Sequence, residues 1–184
     1  MGKNTSGEVK KPKSFSLRTL ELLKNLSKEE AEIFTKFANL RINSGDKNFV
    51  FNNDNEKLIN EKFKISFADR LLLTELGLMS TENNLQLQVK SSTTVSSSTY
   101  YYAGKAILIN RNGNTPEKTF HVLAFTKVGA ELAKLIEPSA DVEYIEKFCD
   151  SFVHENTSIK YGDVVKLPND KLILTNVIEY KQNK

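Results

Sequence analysis

The chain of 184 residues has few of the side chains from which catalytic and metal-binding sites are usually built, since it contains one cysteine and two histidines. The single cysteine, Cys149, cannot form an intramolecular disulfide or a multi-cysteine metal cluster, which fits a reducing compartment. A catalytic zinc ion normally takes three protein ligands, and the two histidines, His121 and His154, lie on different predicted elements. We therefore expect no metal and no cofactor.

Long apolar segments are also missing. No stretch approaches the roughly 18 apolar residues that a membrane helix needs, and the first residues contain no apolar run typical of a signal peptide. The glycine-rich motifs that hold phosphate groups, Gly-x-Gly-x-x-Gly and Gly-x-x-x-x-Gly-Lys, do not occur. These absences predict a cytoplasmic protein without a membrane anchor and argue against a nucleotide hydrolase.

The composition that remains is that of an ordinary globular protein, 39% hydrophobic and 27% charged. A chain of this length buries on the order of 70% of its unfolded surface, so it needs no disulfide to form a core. The net charge of +3 hides an uneven distribution, because residues 1–28 carry +5 and residues 137–184 carry −3. We interpret residues 1–13 as a disordered basic arm and residues 14–184 as a single domain, cut from a longer protein.

Sequence periodicity predicts that the first third of the chain is helical. Apolar residues at spacings of three and four indicate a helix over residues 15–26. Ser27 and Glu30 form a capping box that starts a second helix, which the turn residues at 43–46 should end. Further helices are predicted at residues 56–62, at residues 67–76 with a capping box of Ser66 and Asp69 and a terminal Gly77, at residues 126–136 and at residues 140–153.

After the third long helix the pattern changes from helical to alternating. Leu85, Leu87 and Val89 alternate with polar residues, which indicates a half-buried strand. The Ser/Thr-rich tract at 91–99, which leads into three tyrosines, is either a strand or an exposed arm. Residues 49–51 form a brief strand-like run. Further strands are predicted at residues 106–109 and 120–125, which complete a small antiparallel sheet, and at residues 164–167 and 172–180, in a hairpin around Pro168-Asn169-Asp170.

The order of these elements resembles that of a winged-helix domain, and the segment FADRLLLTELGLM at 67–79 carries this resemblance. A resemblance over more of the chain rests on SGEVKKPKSFSLRTLELLKNLSKEEAEIFTKF at 6–37, on Leu76-Gly77-Leu78 and on residues 125–132. These segments are similar to the C-terminal region of an uncharacterised bacterial family of unknown function. That resemblance implies a cytoplasmic bacterial or phage-related protein with further sequence upstream, and it implies no activity.

Together the elements predict an α+β fold. Its winged-helix-like core should span about residues 14–136 with a small antiparallel sheet, and a helix and β-hairpin should be appended at about 140–180.

The cluster Cys149, Asp150, Ser151 and His154 is the nearest approach to a catalytic constellation. On a helix, Cys149 and His154 would point about 140° apart, so the thiol could not pass its proton to that imidazole. Asp150 and His154 would share a face and form a surface pair. His121 lies in a predicted strand, where a structural or exposed role is favoured. We therefore expect no catalytic residues and a protein that is not an enzyme.

Two binding functions remain open. The first is protein docking or self-association, for example through exposed sheet edges near residues 91–102. The second is nucleic-acid binding, mainly to phosphate, because the predicted third helix carries one Arg against two carboxylates and offers little for base readout. The residues that would contact nucleic acid are Lys10, Lys11, Lys13, Arg18, Lys62, Lys64 and Arg70.

Overall fold

The computed structural model describes residues 15–52, 57–82 and 85–181, and its fold is α+β. Within these residues, five α-helices accompany one antiparallel sheet of eight strands. The α-helices are α1 (Leu17–Asn25), α2 (Lys28–Asn39), α3 (Phe67–Glu75), α4 (Lys127–Leu132) and α5 (Val142–Asp150). The strands are β1 (Arg41–Ser44), β2 (Lys47–Phe51), β3 (Gln86–Val89), β4 (Val95–Tyr102), β5 (Lys105–Asn112), β6 (Lys118–Ala124), β7 (Thr157–Lys166) and β8 (Leu172–Tyr180).

The helix starts follow from local hydrogen bonding, as the sequence predicts. The capping box of Ser27 and Glu30 begins α2, and that of Ser66 and Asp69 begins α3. Each box satisfies two backbone N–H groups that the helix itself leaves without a partner. Beyond α3, Gly77 has φ +69°, the left-handed conformation that a helix end favours and that glycine adopts without strain.

The sheet is larger than the small one that the sequence predicts. Its strand order is β3-β6-β2-β1-β4-β5-β7-β8, and every neighbouring pair is antiparallel. The C-terminal hairpin β7–β8 is therefore part of the sheet and not an appendage. The strand after α3, β3, pairs with β6 and not with the next strand along the chain, β4.

One predicted helix end is wrong. The turn residues at 43–46 do not end α2, which stops at Asn39; instead they close a hairpin between β1 and β2. The physical reason lies in Ile42, which is fully buried and pairs with Phe49 on one side and Tyr102 on the other. Burial in the sheet outweighs the local tendency to continue the helix.

Other boundaries also differ from the sequence prediction. Helix α4 gives way to a 3-10 turn at Ala133–Leu135, and a π-helical turn at Leu58–Lys62 replaces the predicted helix over 56–62. The Ser/Thr-rich tract leads into strand β4, which settles the alternative between strand and exposed arm for residues 95–99. Strand β7 begins at Thr157, seven residues before the predicted start at Val164.

Helix α5 covers one face of the sheet with aromatic contacts. The ring of Phe148 lies 4.9 Å from that of Tyr100, 5.3 Å from that of Phe51 and 5.6 Å from that of Phe120, measured between centroids. These residues come from three separate strands, so one side chain of α5 contacts three strands in the middle of the sheet. Cys149 is fully buried beside this cluster, as expected of a core residue.

Candidate functional site

The strongest candidate for a functional surface is the end of the hairpin formed by β7 and β8. Its loop, Pro168-Asn169-Asp170, is a three-residue turn with Asp170 in the left-handed region at φ +62°. The Asp170 N–H donates to the Leu167 carbonyl at 3.0 Å, and the Leu167 N–H donates to the Lys171 carbonyl at 2.9 Å. The sequence prediction of a hairpin at this proline is confirmed, because turn chemistry is local.

The end of this hairpin extends past its neighbour in the sheet. Strand β5 begins at Lys105, which pairs with Asp163, and the Val164 N–H donates to the Gly104 carbonyl at 2.9 Å. Beyond that point, residues 164–174 pair only within the hairpin among the strands that the structure describes. We call residues 164–174 the projecting hairpin; it extends roughly 10 Å past the β4–β5 turn at a rise of about 3.3 Å per residue.

The projecting hairpin has an apolar surface but no buried residue. Leu172 is 53% exposed and Val165 is 41% exposed. Leu172 and Leu174 lie on one face, whereas Ile173 pairs with Val165 on the other, so both faces carry aliphatic side chains. The charged residues lie around the loop, where Lys166 and Asp170 form an ion pair at 2.6 Å. An exposed edge of this kind is a template for pairing with another strand.

The base of the projecting hairpin is held in place by Asp163. Its carboxylate accepts from Lys105 Nζ at 2.6 Å and from Asn176 Nδ2 at 2.8 Å, and these hydrogen bonds hold its pKa below the ordinary value. A β-bulge follows, at which Asn176 has φ +49° and the register shifts between Tyr161 and Asp163. The bulge bends β8, so the straight part of this edge is the segment before Asn176.

The opposite edge of the sheet is built differently. Strand β3 is four residues long, and its glutamines alternate with half-buried apolar residues. Gln88 Nε2 donates to Glu117 Oε1 at 2.7 Å, and Gln86 Nε2 lies 3.3 Å from His121 Nε2. Short polar edges of this type resist pairing with other chains.

The region favoured for docking from the sequence, residues 91–102, contains strand β4, which among the described residues has strand partners on both sides at Tyr101 and Tyr102 only. Strand β4 pairs with β5 along its whole length and with β1 at Tyr101 and Tyr102. Tyr100 and Tyr102 are buried, and Tyr101 is 39% exposed. Sequence reasoning thus missed the projecting hairpin as a surface, although the unbroken run Leu172-Ile173-Leu174 was a signal for it.

The seven basic residues proposed to contact nucleic acid differ in burial and in ion pairing where the structure describes them. Arg70 is 5% exposed, and its Nη1 donates to Asn60 Oδ1 at 2.8 Å. Lys62 Nζ lies 2.7 Å from both Asp141 and Glu143. Three of the seven are exposed, Arg18 on α1 and Lys62 and Lys64 before α3. The remaining three, Lys10, Lys11 and Lys13, lie outside the described residues.

In the cluster around Cys149, the thiol is buried and the polar side chains of Asp150 and His154 bond to other groups. Burial raises the pKa of the Cys149 thiol to about 12, which leaves the thiol protonated and unreactive. The prediction that Asp150 and His154 pair on one face of a helix is wrong, because α5 ends at Asp150 and His154 lies beyond it. Asp150 Oδ1 instead accepts from the Tyr180 hydroxyl at 2.6 Å, and His154 Nδ1 accepts from the Asn156 N–H at 3.2 Å.

Two further observations concern the described residues. No three His, Cys, Asp or Glu side chains within residues 15–52, 57–82 and 85–181 come together as a group that could hold a metal ion. In the same part of the chain, no helix has the length and apolar character required to cross a bilayer.

Fold and surface together define an α+β domain with one exposed apolar hairpin at the end of an antiparallel sheet. Residues 2–149 match the family described as "Protein of unknown function (DUF2806)", and the chain belongs to that family. No curated protein and no solved structure matches the chain. The matched segment ends within α5, so the projecting hairpin lies outside it.

Proposed function

We propose that this domain is a non-enzymatic protein-docking module and that the projecting hairpin is its docking element. The observation that supports this proposal is the extension of residues 164–174 past β5 with Leu172 and Val165 exposed. A two-stranded hairpin is marginally stable by itself in water, so an uncovered one gains from contact with a further strand or surface. Large exposed aliphatic side chains on such an edge are typical of interaction sites.

The mode of docking follows from the backbone. A sheet edge presents N–H and C=O groups that an incoming extended chain can pair, while alternating side chains on the two faces supply apolar contacts. Strand β8 is the last strand of the sheet and carries one charged residue, Glu179, which is already paired with Lys160 at 2.7 Å. This edge therefore favours an uncharged, extended partner segment.

The proposal that the protein is not an enzyme rests on the chemistry of the described polar residues. The thiol of Cys149 is buried, the His154 imidazole bonds to local backbone, and Asp150 bonds to Tyr180. None of these three groups activates another as a nucleophile and its base would. A cytoplasmic bacterial setting, which the family resemblance implies, is part of the same proposal.

Nucleic-acid binding by a winged-helix-like core is the alternative function. Its support is the +5 charge of residues 1–28 and the exposure of Arg18 and Lys64. It ranks second because α3 has a net charge of −1 and uses Arg70 internally. Under this alternative, binding to duplex DNA should fall steeply with salt and weaken on charge reversal at Lys10, Lys11 and Lys13.

Site-specific photocrosslinking in cells tests the docking function. A photoreactive residue replaces Leu172 in one protein and Leu135 in a matched control, since both leucines are 53% exposed but lie on different elements. We expect a discrete protein adduct from position 172 and none from position 135. Equal adducts from both positions, no adduct, or an adduct with nucleic acid alone would contradict the proposal.

A further inference from the structure

We propose that the partner of the projecting hairpin is a second copy of this chain, paired antiparallel through Leu172–Leu174 across a two-fold axis at Ile173. This inference rests on the proposed docking function and adds to it the identity of the partner and the register of pairing. The resulting dimer would join two eight-stranded sheets edge to edge.

The outward-facing backbone groups of β8 can be assigned from the hairpin loop. The Leu167 N–H donates to the Lys171 carbonyl, so Leu167 and Lys171 form a hydrogen-bonded pair. In an antiparallel ladder, hydrogen-bonded and non-hydrogen-bonded pairs alternate. The pairs Leu172–Lys166 and Leu174–Val164 are therefore non-hydrogen-bonded, and Leu172 and Leu174 turn their N–H and C=O groups away from β7.

These outward groups determine which registers a two-fold pairing can use. Two residues that form a hydrogen-bonded pair must both face the new interface, so Leu172 can pair with Leu172 or with Leu174 of the second copy. We place the two-fold axis at the middle of the straight edge, which selects the pair of Leu172 with Leu174 and, by symmetry, the reverse pair. Ile173 then lies opposite Ile173 of the second copy as a non-hydrogen-bonded pair. The straight part of the edge runs from Lys171 to Thr175, between the loop and the bulge at Asn176, and Ile173 is its midpoint.

The edge is self-complementary in this register. Leucine meets leucine on one face and isoleucine meets isoleucine on the other, and Lys171 lies opposite Thr175 of the second copy. No like charges are therefore placed directly opposite each other, which would be destabilising. The net charge of +3 is small for a chain of 184 residues, so approach of two copies meets little overall repulsion. A partner segment rich in charge would gain none of these contacts.

The register has a geometric signature that cysteine substitution can detect. Cα atoms of a non-hydrogen-bonded pair lie about 4.5 Å apart, which is within the range that a disulfide spans. The two copies of Leu172 are displaced by two residues along the strand, about 6.8 Å, as well as across the ladder, so their Cα atoms lie more than about 7 Å apart. Cys149, the one natural cysteine, is buried and does not compete.

The experiment compares two single substitutions, Ile173→Cys and Leu172→Cys, in the full chain under mild oxidation. We expect Ile173→Cys to form a disulfide-linked dimer at least about tenfold faster than Leu172→Cys, because only the former pair lies within disulfide range. Equal rates would indicate random collision and would overturn the proposed register. Absence of a linked dimer from Ile173→Cys would overturn it as well.

Sedimentation velocity at high micromolar concentration provides a second, non-covalent measurement. The unmodified chain should show a dimer that Ile173→Lys abolishes, since two lysines would then meet at the two-fold axis, whereas Leu135→Lys should leave the dimer intact. A chain that remains a monomer throughout would overturn the inference. In that case, a photocrosslinked adduct of Leu172 with a different protein would still support docking, so the two proposals fail separately.

Discussion

The middle of the sheet and the projecting hairpin differ in the number of helices and strands that pack against or pair with each strand. At the middle, β2, β4 and β6 lie under α5, and the rings of Phe148 and Tyr144 contact aromatic residues from these strands. In the projecting hairpin, two strands pair with each other, and no residue is buried. The difference teaches that the packing that stabilises the fold and the apolar surface on which the proposed docking depends lie in separate parts of the molecule.

The same contrast holds for polar groups. The Tyr144 side chain is fully buried, and its hydroxyl accepts from the Phe51 N–H at 2.7 Å and donates to the Leu40 carbonyl at 3.0 Å. It thereby links α5 to the end of α2 and to β2. In the projecting hairpin, backbone groups face solvent, where water satisfies them at little cost. Substitutions in the two regions should therefore affect different measurements.

Among the conservative substitutions considered, the largest effect on stability is expected for Tyr144→Phe. Loss of the hydroxyl leaves the buried Phe51 N–H and Leu40 carbonyl without this partner, which should cost about 2–4 kcal/mol in the free energy of unfolding. Chemical denaturation measures this change. Tyr101→Phe is the matched control, because that tyrosine is 39% exposed, and it should change the unfolding free energy by less than about 0.5 kcal/mol. Equal effects of the two substitutions would remove the contrast between middle and surface.

An intermediate effect is expected when the Glu131 carboxylate, which attaches α1 to α4, is protonated or replaced. Glu131 Oε2 accepts from the Ser16 N–H at 2.8 Å and from the Thr19 hydroxyl at 2.6 Å. These hydrogen bonds, first that of the Ser16 N–H, lower the pKa of Glu131 from 4.5 to about 2. Because the folded state favours the carboxylate, its stabilising contribution is present above pH 4.5 and is lost as the pH falls towards 2.

Hydrogen exchange of the α1 amides between those pH values measures this attachment. After correction for intrinsic rates, protection of α1 should decrease towards the acid end while protection of α5 persists. Glu131→Gln should already show the weaker protection at neutral pH and should lose the pH dependence. An unchanged pH dependence in that variant would show that another carboxylate is responsible.

The smallest effect on stability is expected for Leu172→Lys in the projecting hairpin. An exposed leucine at the end of a two-stranded hairpin contributes little to the folded monomer, so the unfolding free energy at low protein concentration should change by less than about 0.5 kcal/mol. Leu73→Lys, which places a charge at a fully buried position, should prevent folding. A large loss of stability in Leu172→Lys would mean that the hairpin is part of the core.

Features that depend on neighbouring residues were predictable from the sequence. The capping boxes at Ser27 and Ser66 and the glycine that follows α3 are set by hydrogen bonds over three or four residues. The turn after Pro168 belongs to the same class. In each case the sequence within one turn of helix or loop contains the whole physical cause.

Features that depend on distant pairing were not predictable. The sequence did not predict the full length of β7, because Gly162 interrupts its strand-like pattern of side chains. The glycine is required by the paired strand, since a Cβ at this position would lie 2.6 Å from the Thr175 carbonyl oxygen. The projecting hairpin exists as a surface only because β5 starts at Lys105, a boundary set 58 residues away from its partner Asp163. Sequence patterns show where a strand is favoured but not where its neighbour ends.

The limit of the family match within α5 has a consequence for comparing relatives. Strand β7 covers β5 along seven paired residues, from Lys105 to Arg111, and the strand so covered includes the buried Ile107 and Ile109. If a relative preserves the matched segment but not β7, its fifth strand becomes the outermost one. Such a relative would need another segment or charged side chains along this exposed edge, so we expect relatives that diverge after α5 to differ at this edge before they differ in the rest of the fold.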